Sequence, residues 1–128
     1  MTTVYFGGKC FKEFESELYM IISAKSEFPD WGSFRQATME QLIADNCTLI
    51  DESYRENEFI KSNDDDISFM KSIVLNMKDA VKIDYEEVLE SYTMSPEDQF
   101  EHIMILCTAN EYIMLYWNTT AYWNSRVV

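Results

Sequence analysis

The apolar residues of this chain change their spacing from one end to the other. Thr2 to Phe6 is rich in β-branched and aromatic residues and is followed by Gly7-Gly8, a pair free to take positive φ, so it predicts a short strand and a reversal. Phe11, Phe14, Leu18, Ile21 and Ile22 then recur at helical intervals, with Lys12, Glu13, Glu15 and Glu17 on the other side, predicting a helix that ends near Lys25. Phe28-Pro29-Asp30-Trp31-Gly32 breaks the pattern. Ser33 can cap a second helix reaching about Asn46, with Phe34, Ala37, Leu42 and Ile43 facing inward.

Thr48-Leu49-Ile50 suits a brief strand, and the polar stretch from Asp51 to Asp66 suits a loop. Asp64-Asp65-Asp66 opens the clearest helix, whose stripe is Ile67, Met70, Ile73, Val74, Met77 and Val81; its acidic start and Lys78 and Lys82 near its end complement the helix dipole. Asp84-Tyr85-Glu86-Glu87 has the form of a capping box for a further helix burying Tyr85, Val88, Leu89 and Tyr92. Ser95-Pro96 starts a short one through about His102. Ile103 to Thr108 and Glu111 to Trp117 are β-rich runs on either side of Ala109-Asn110, a hairpin pattern. Alternation sets Tyr112, Met114 and Tyr116 on one face of the second run and Ile113, Leu115 and Trp117 on the other. Both faces are apolar, as in a central strand covered on each side or a strand with one face in an interface. The fold class expected is α+β: one domain, several helices packed on a small, largely antiparallel sheet with a C-terminal β-hairpin.

Composition supports a packed core. At 128 residues the chain fits one domain, and 47% hydrophobic and 15% aromatic residues against three Gly and two Pro exclude a disordered acidic tail. No apolar run approaches the roughly 20 residues of a membrane span, and the first residues lack a basic segment followed by an apolar one, so a cytoplasmic location is expected. Cys10, Cys47 and Cys107 form no Cys-x-x-Cys pair and read as buried thiols.

Charge then points to a class of partner. The formal net charge is −13, and between Ile83 and Ser125 there are eight acidic residues and no Lys or Arg. Such a chain repels nucleic acid and anionic membrane surfaces and attracts basic proteins. Catalytic signatures are thin. His102 is the only histidine; Asp98 four residues before it makes a poor metal site, and Cys107 with His102 makes an awkward nucleophile and base. Three glycines leave no phosphate-cradling loop. No enzyme activity, metal or cofactor is expected. Trp117, Tyr122 and Trp123 suit a core rim or an interface anchor, and Trp31 beside Asp30 suits exposure.

From Val4-Tyr5-Phe6-Gly7-Gly8, through the run Phe11 to Ile22, to Phe28-Pro29-Asp30-Trp31-Gly32 and the helix after it, the order of elements resembles barstar-type nuclease inhibitors over residues 4–43. Those have a strand, a glycine turn, a helix and an aromatic-Pro-Gly loop leading into an acidic inhibitory helix. At the two positions where that family is acidic, this chain has Gln36 and Glu40. The resemblance implies an immunity protein that covers the active site of a basic toxin, a nuclease above all. The residues expected to bind are Asp30, Trp31 and Glu40, then Glu86, Glu87, Glu90, Glu97 and Asp98. Two other readings compete: a phage-type anti-defence protein that mimics DNA, and an adaptor subunit whose hairpin pairs with a copy of itself. Monomer and dimer both stay open.

Overall fold

The unbroken apolar run Leu18-Tyr19-Met20-Ile21-Ile22 decides the architecture. A surface helix would expose part of such a run, whereas a strand alternates it between two faces that can both be covered. The computed structural model describes residues 1–11, 14–44, 59–76, 87–94 and 101–119, and in it this run is the middle of a strand. The expected helix from Phe11 to Lys25 is therefore corrected: β1 (Thr2–Phe11) and β2 (Phe14–Ala24) form an antiparallel pair. Gly7 and Gly8 lie within β1, opposite Glu17 and Ser16, and the chain reverses between Phe11 and Phe14 instead.

A 3-10 turn at Lys25–Glu27 leads to α1 (Trp31–Ala44), followed by β3 (Phe59–Lys61), α2 (Asp64–Asn76), β4 (Glu90–Met94), β5 (Glu101–Cys107) and β6 (Glu111–Thr119). Among the described residues the sheet has six strands in the order β1-β2-β6-β5-β4-β3, every pair antiparallel. Two other expected helices yield to strands. Glu90 to Met94, with Tyr92 in it, is β4, and Glu101 and His102 belong to β5. Both segments are central enough in the sheet for pairing on two sides to outweigh local capping signals. The brief strand expected at Thr48 to Ile50, the acidic start at Asp84 and the Ser95-Pro96 cap lie outside the described residues. Where a loop was expected, β3 adds a three-residue edge.

The hairpin forms where the pattern placed it. Cys107 pairs with Tyr112, the Thr108 amide donates to the Glu111 carbonyl at 3.0 Å, and the Glu111 amide donates to Thr108 Oγ1 at 3.0 Å. Its strands are internal, with β6 between β2 and β5, and β5 between β6 and β4. Pairing of this hairpin with a second copy is thus closed off, because neither strand has a free edge.

Neighbouring residues of β6 face opposite cores. Tyr116 and Met114 join Ile21, Ile103 and Ile105 beneath Phe34, Met39 and Leu42 of α1. Trp117 and Leu115 join Leu18, Met20, Met104 and Leu106 beneath Met70 of α2. The helices cover the two faces of the sheet, which explains why a central strand carries apolar residues at every position. Of the residues expected inward on α1, Phe34 and Leu42 are buried and Ala37 is half-buried, with Thr38 and Met39 buried beside them. No described helix is long and apolar enough to cross a membrane.

Candidate functional site

Asp30 organises the end of the sheet nearest the start of α1. Its carboxylate accepts a 2.7 Å hydrogen bond from the Ser33 amide, and its carbonyl accepts one from the Phe34 amide at 3.3 Å, so Asp30 and not Ser33 is the N-cap. The Ser33 amide, with the Ser33 hydroxyl and the Gly32 amide, holds this carboxyl below the usual carboxylate range. It stays ionised and exposed.

The cap fixes Trp31 as the first helical residue, and its ring stacks on Tyr92 of β4 with centroids 4.0 Å apart and planes 11° from parallel. Trp31 is half-buried, contrary to the exposure expected of a loop tryptophan, because the helix starts three residues earlier and places the indole over the sheet. The Tyr92 hydroxyl donates to Glu90 at 2.9 Å, and this bond to a carboxylate raises the phenol above its ordinary pKa. Trp31 also meets Phe59 at 6.5 Å, where Arg35 lies 5.0 Å from the ring centroid.

Strand register gathers the rest. Glu90 lies opposite Cys107, Cys107 opposite Tyr112, and Tyr112 opposite Ser23, so the ends of β4, β5, β6 and β2 stand side by side. Backbone bonds lock that row: the Lys25 amide donates to Asn110 at 2.9 Å and the Leu89 amide to Cys107 at 2.8 Å. Tyr112 stacks on Phe34 at 5.3 Å with Lys25 Nζ 5.6 Å above its ring. Burial raises the Tyr112 phenol, and the negative charges of Asp30 and Glu90 add to it. Glu27 and Glu111 are exposed at the same end. Glu27 accepts from the Ser23 hydroxyl and pairs with the Met1 ammonium at 3.6 Å, and the Ser23 bond leads the causes that lower its pKa.

Among the residues expected to bind, the fold brings Asp30, Trp31 and Glu90 into one rim. Glu87 is exposed just before β4. Glu40 is exposed but about 15 Å from Asp30 along α1, ten residues at 1.5 Å each. It lines a separate groove of about 210 Å³ with Gly32, Arg35, Gln36 and Met39. Glu86, Glu97 and Asp98 lie outside the described residues, as do Tyr122 and Trp123. Sequence reading missed Tyr92, Tyr112, Lys25 and Glu27 as rim members. Only strand register puts them together, and that register depended on recognising β2 and β4.

The other acidic start has a local explanation. Asn63 Oδ1 accepts from the Asp66 amide at 2.8 Å while Asp66 Oδ2 accepts from the Asn63 amide at 3.1 Å, a reciprocal cap for α2. Cys107 is buried, and desolvation pushes its thiol up to about 11, which leaves it a neutral apolar group. His102 is five residues away on the same strand, hence on the opposite face, so the two cannot act as base and nucleophile. Among the described residues no group of three or more His, Cys, Asp or Glu could hold a metal ion.

The rim thus offers exposed carboxylates around a half-buried aromatic stack, with the Lys25 ammonium over the neighbouring Tyr112 ring. Carboxylates of this kind can meet Lys or Arg, and exposed aromatic surface can exclude water from a contact. No protein-family model, curated protein or solved structure matches the chain.

Proposed function

We propose that this protein is an inhibitor of the immunity type, which binds a basic protein through the rim of Asp30, Trp31, Tyr92, Glu90 and Glu111 and covers that partner's active site. One observation carries the reading. Asp30, which caps the helix that starts with Trp31, and Glu90, which accepts from Tyr92, are distant in sequence, and the Trp31–Tyr92 stack joins them on a chain of net charge −13. The long-range field steers a cationic partner towards the protein, with association on the order of 10⁸ M⁻¹s⁻¹ at low salt. The stack then supplies the desolvated anchor that slows dissociation. A nuclease is the favoured partner class, because carboxylates on the inhibitor can occupy the cationic positions that hold substrate phosphates.

The test compares columns of the wild-type protein and of Trp31→Ala/Glu90→Gln in parallel with extract of the native host. A basic protein should be retained by the first, lost from the second and released by about 0.5 M salt. Its purified activity should fall on adding the wild-type chain. Trp31→Ala alone should weaken binding at least about 30-fold, the effect of one central aromatic anchor. Equal retention on both columns, or a retained partner with no excess of Lys and Arg, would refute the assignment.

A further inference from the structure

Two cations of this chain rest on aromatic rings. The Arg35 guanidinium lies 5.0 Å from the centroid of Phe59, and Lys25 Nζ lies 5.6 Å from that of Tyr112. Both rings belong to the aromatic core beneath α1, and Trp31 and Tyr92 pack half-buried against the same cluster. Among the described residues no cation lies over the Trp31–Tyr92 stack, although its rings are 4.0 Å apart and within 11° of parallel. A carboxylate stands at its edge, because the Tyr92 hydroxyl donates to Glu90 Oε2 at 2.9 Å. Among the described residues that is the one side-chain hydrogen bond to Glu90, so Oε1 of this exposed residue is open to a donor. Trp31 is fixed by the start of α1 and Tyr92 by pairing on both sides of β4, so ring and carboxylate are held in place before anything binds.

We propose that the Trp31–Tyr92 stack and Glu90 form a seat for one arginine side chain of the basic partner, and that the seat takes arginine in preference to lysine. The inference rests on the rim being the binding surface, as proposed above. A guanidinium is planar and weakly hydrated, so it can lie flat against the exposed part of an aromatic stack while its edge donates to a carboxylate. Ring and carboxylate oxygen stand side by side here because the Tyr92 hydroxyl ties them together. A lysine ammonium is compact and strongly hydrated, and it gains little from a flat ring once it has met Glu90. Lys61, opposite Tyr92 in the register, is exposed. Its charge opposes arginine and lysine alike and drops out of the preference between them.

Hexa-arginine amide and hexa-lysine amide carry the same charge, so the ratio of their affinities reads the seat and not the field of the whole chain. Calorimetry at about 0.05 M salt should give a ratio of about 5 in favour of arginine for the wild-type protein. Trp31→Leu and Glu90→Gln should each bring the ratio to about 2 or less. Glu90→Gln, an exposed change that leaves the core untouched, carries the comparison if Trp31→Leu unfolds. Glu40→Gln removes a carboxylate elsewhere on α1 and should leave the ratio as it is. A second readout is the nuclear magnetic resonance signal of the Trp31 indole N–H, assigned by its loss in Trp31→Leu. At saturation it should move with hexa-arginine and at least about twofold less with hexa-lysine. A wild-type ratio near 1, or one that survives both substitutions, overturns the seat and leaves the rim as a surface for cations in general. Failure of both peptides to bind overturns the cationic reading of the rim, and the seat with it.

Discussion

The two faces of the sheet solve the same packing problem with different materials. Beneath α1 the core is aromatic, with Phe34, Tyr112 and Tyr116 buried and Tyr19, Phe28, Trp31 and Tyr92 packed half-exposed around them. Beneath α2 the one buried ring among the described residues is Trp117, set among Leu18, Met20, Met70, Met104, Leu106 and Leu115. Their polar groups differ as well. On the α2 face Ser91 Oγ donates to Ser62 Oγ at 2.7 Å and Ser62 meets Thr93 at 2.5 Å, so the hydroxyls satisfy one another inside the protein. On the α1 face the Tyr92 hydroxyl donates to the exposed Glu90 at the protein's edge. Tyrosine and tryptophan tolerate that position because each has an apolar body and a polar tip. The hydroxyl network of one face stays inside the protein, and the tyrosine–carboxylate bond of the other lies at its surface.

Replacing one tryptophan on each face gives the widest separation. Trp117 is 1% exposed, with Phe69 edge-on at 5.7 Å, and Trp117→Ala should lower unfolding free energy by about 3–5 kcal/mol in urea titrations. That is a large share of the ~5–15 kcal/mol that holds a domain together. Trp31→Ala, at the half-buried rim, should cost about 1 kcal/mol and leave the fold cooperative while abolishing partner capture. If both substitutions proved equally destabilising, the rim tryptophan would be a core residue and the contrast between the faces would collapse.

The same contrast explains what could be read from the sequence. The β5–β6 hairpin was legible because alternation in Glu111 to Trp117 and the Ala109-Asn110 turn agree, and its two-faced apolar pattern marked a central strand. The start of α2 was legible from Asp64-Asp65-Asp66, although the partner of the cap is Asn63. β2 was not. Phe14, Leu18, Ile21 and Ile22 fit a helical stripe as well as a strand, and only the presence of Tyr19 and Met20 inside the run argues against one polar side. β4 was hidden by acidic residues that look like a helix start. With β2 and β4 misassigned, the row that joins Glu90, Cys107, Tyr112 and Ser23 could not be assembled, so the site was visible as single residues and not as a place. The helix that the barstar-type resemblance requires between its first strand and its loop is β2 in this fold.

Acid distinguishes the faces next. His102 lies on the α2 side with Phe69 edge-on at 5.0 Å, and its Nε2 is buried without a hydrogen-bond partner. Burial, opposed by the Asp66 carboxylate, holds the imidazole below its ordinary pKa. Unfolded, it titrates near about 6.5. As pH falls through that value the unfolded chain takes up a proton that the folded chain resists, so stability declines towards acid. The urea midpoint should be lower at about pH 5.5 than at about pH 7.5, and His102→Phe should flatten that slope. Hydrogen exchange should locate the loss in α2 before α1, since α2 is the helix packed on His102. An unchanged slope in the variant would remove His102 as its source.

The smallest effects come from the helix starts, and they separate a structural carboxylate from a binding one. α2 has a reciprocal cap, Asn63 with Asp66, whereas α1 depends on Asp30, whose carboxylate also faces the rim. Asn63→Ala should cost about 1 kcal/mol of stability and leave partner binding unchanged. Asp30→Ala should lower the melting midpoint and weaken binding together, a result that either role alone could produce. Asp30→Asn resolves it. Asparagine caps as well as aspartate, so the melting midpoint should hold, yet the negative charge at the start of α1 is gone. If the rim binds by charge, affinity should fall in Asp30→Asn and its dependence on salt should become shallower, with both read by calorimetry at two salt concentrations. Unchanged affinity in that variant would assign Asp30 wholly to the cap and leave Glu90 and Glu111 as the carboxylates that meet the partner.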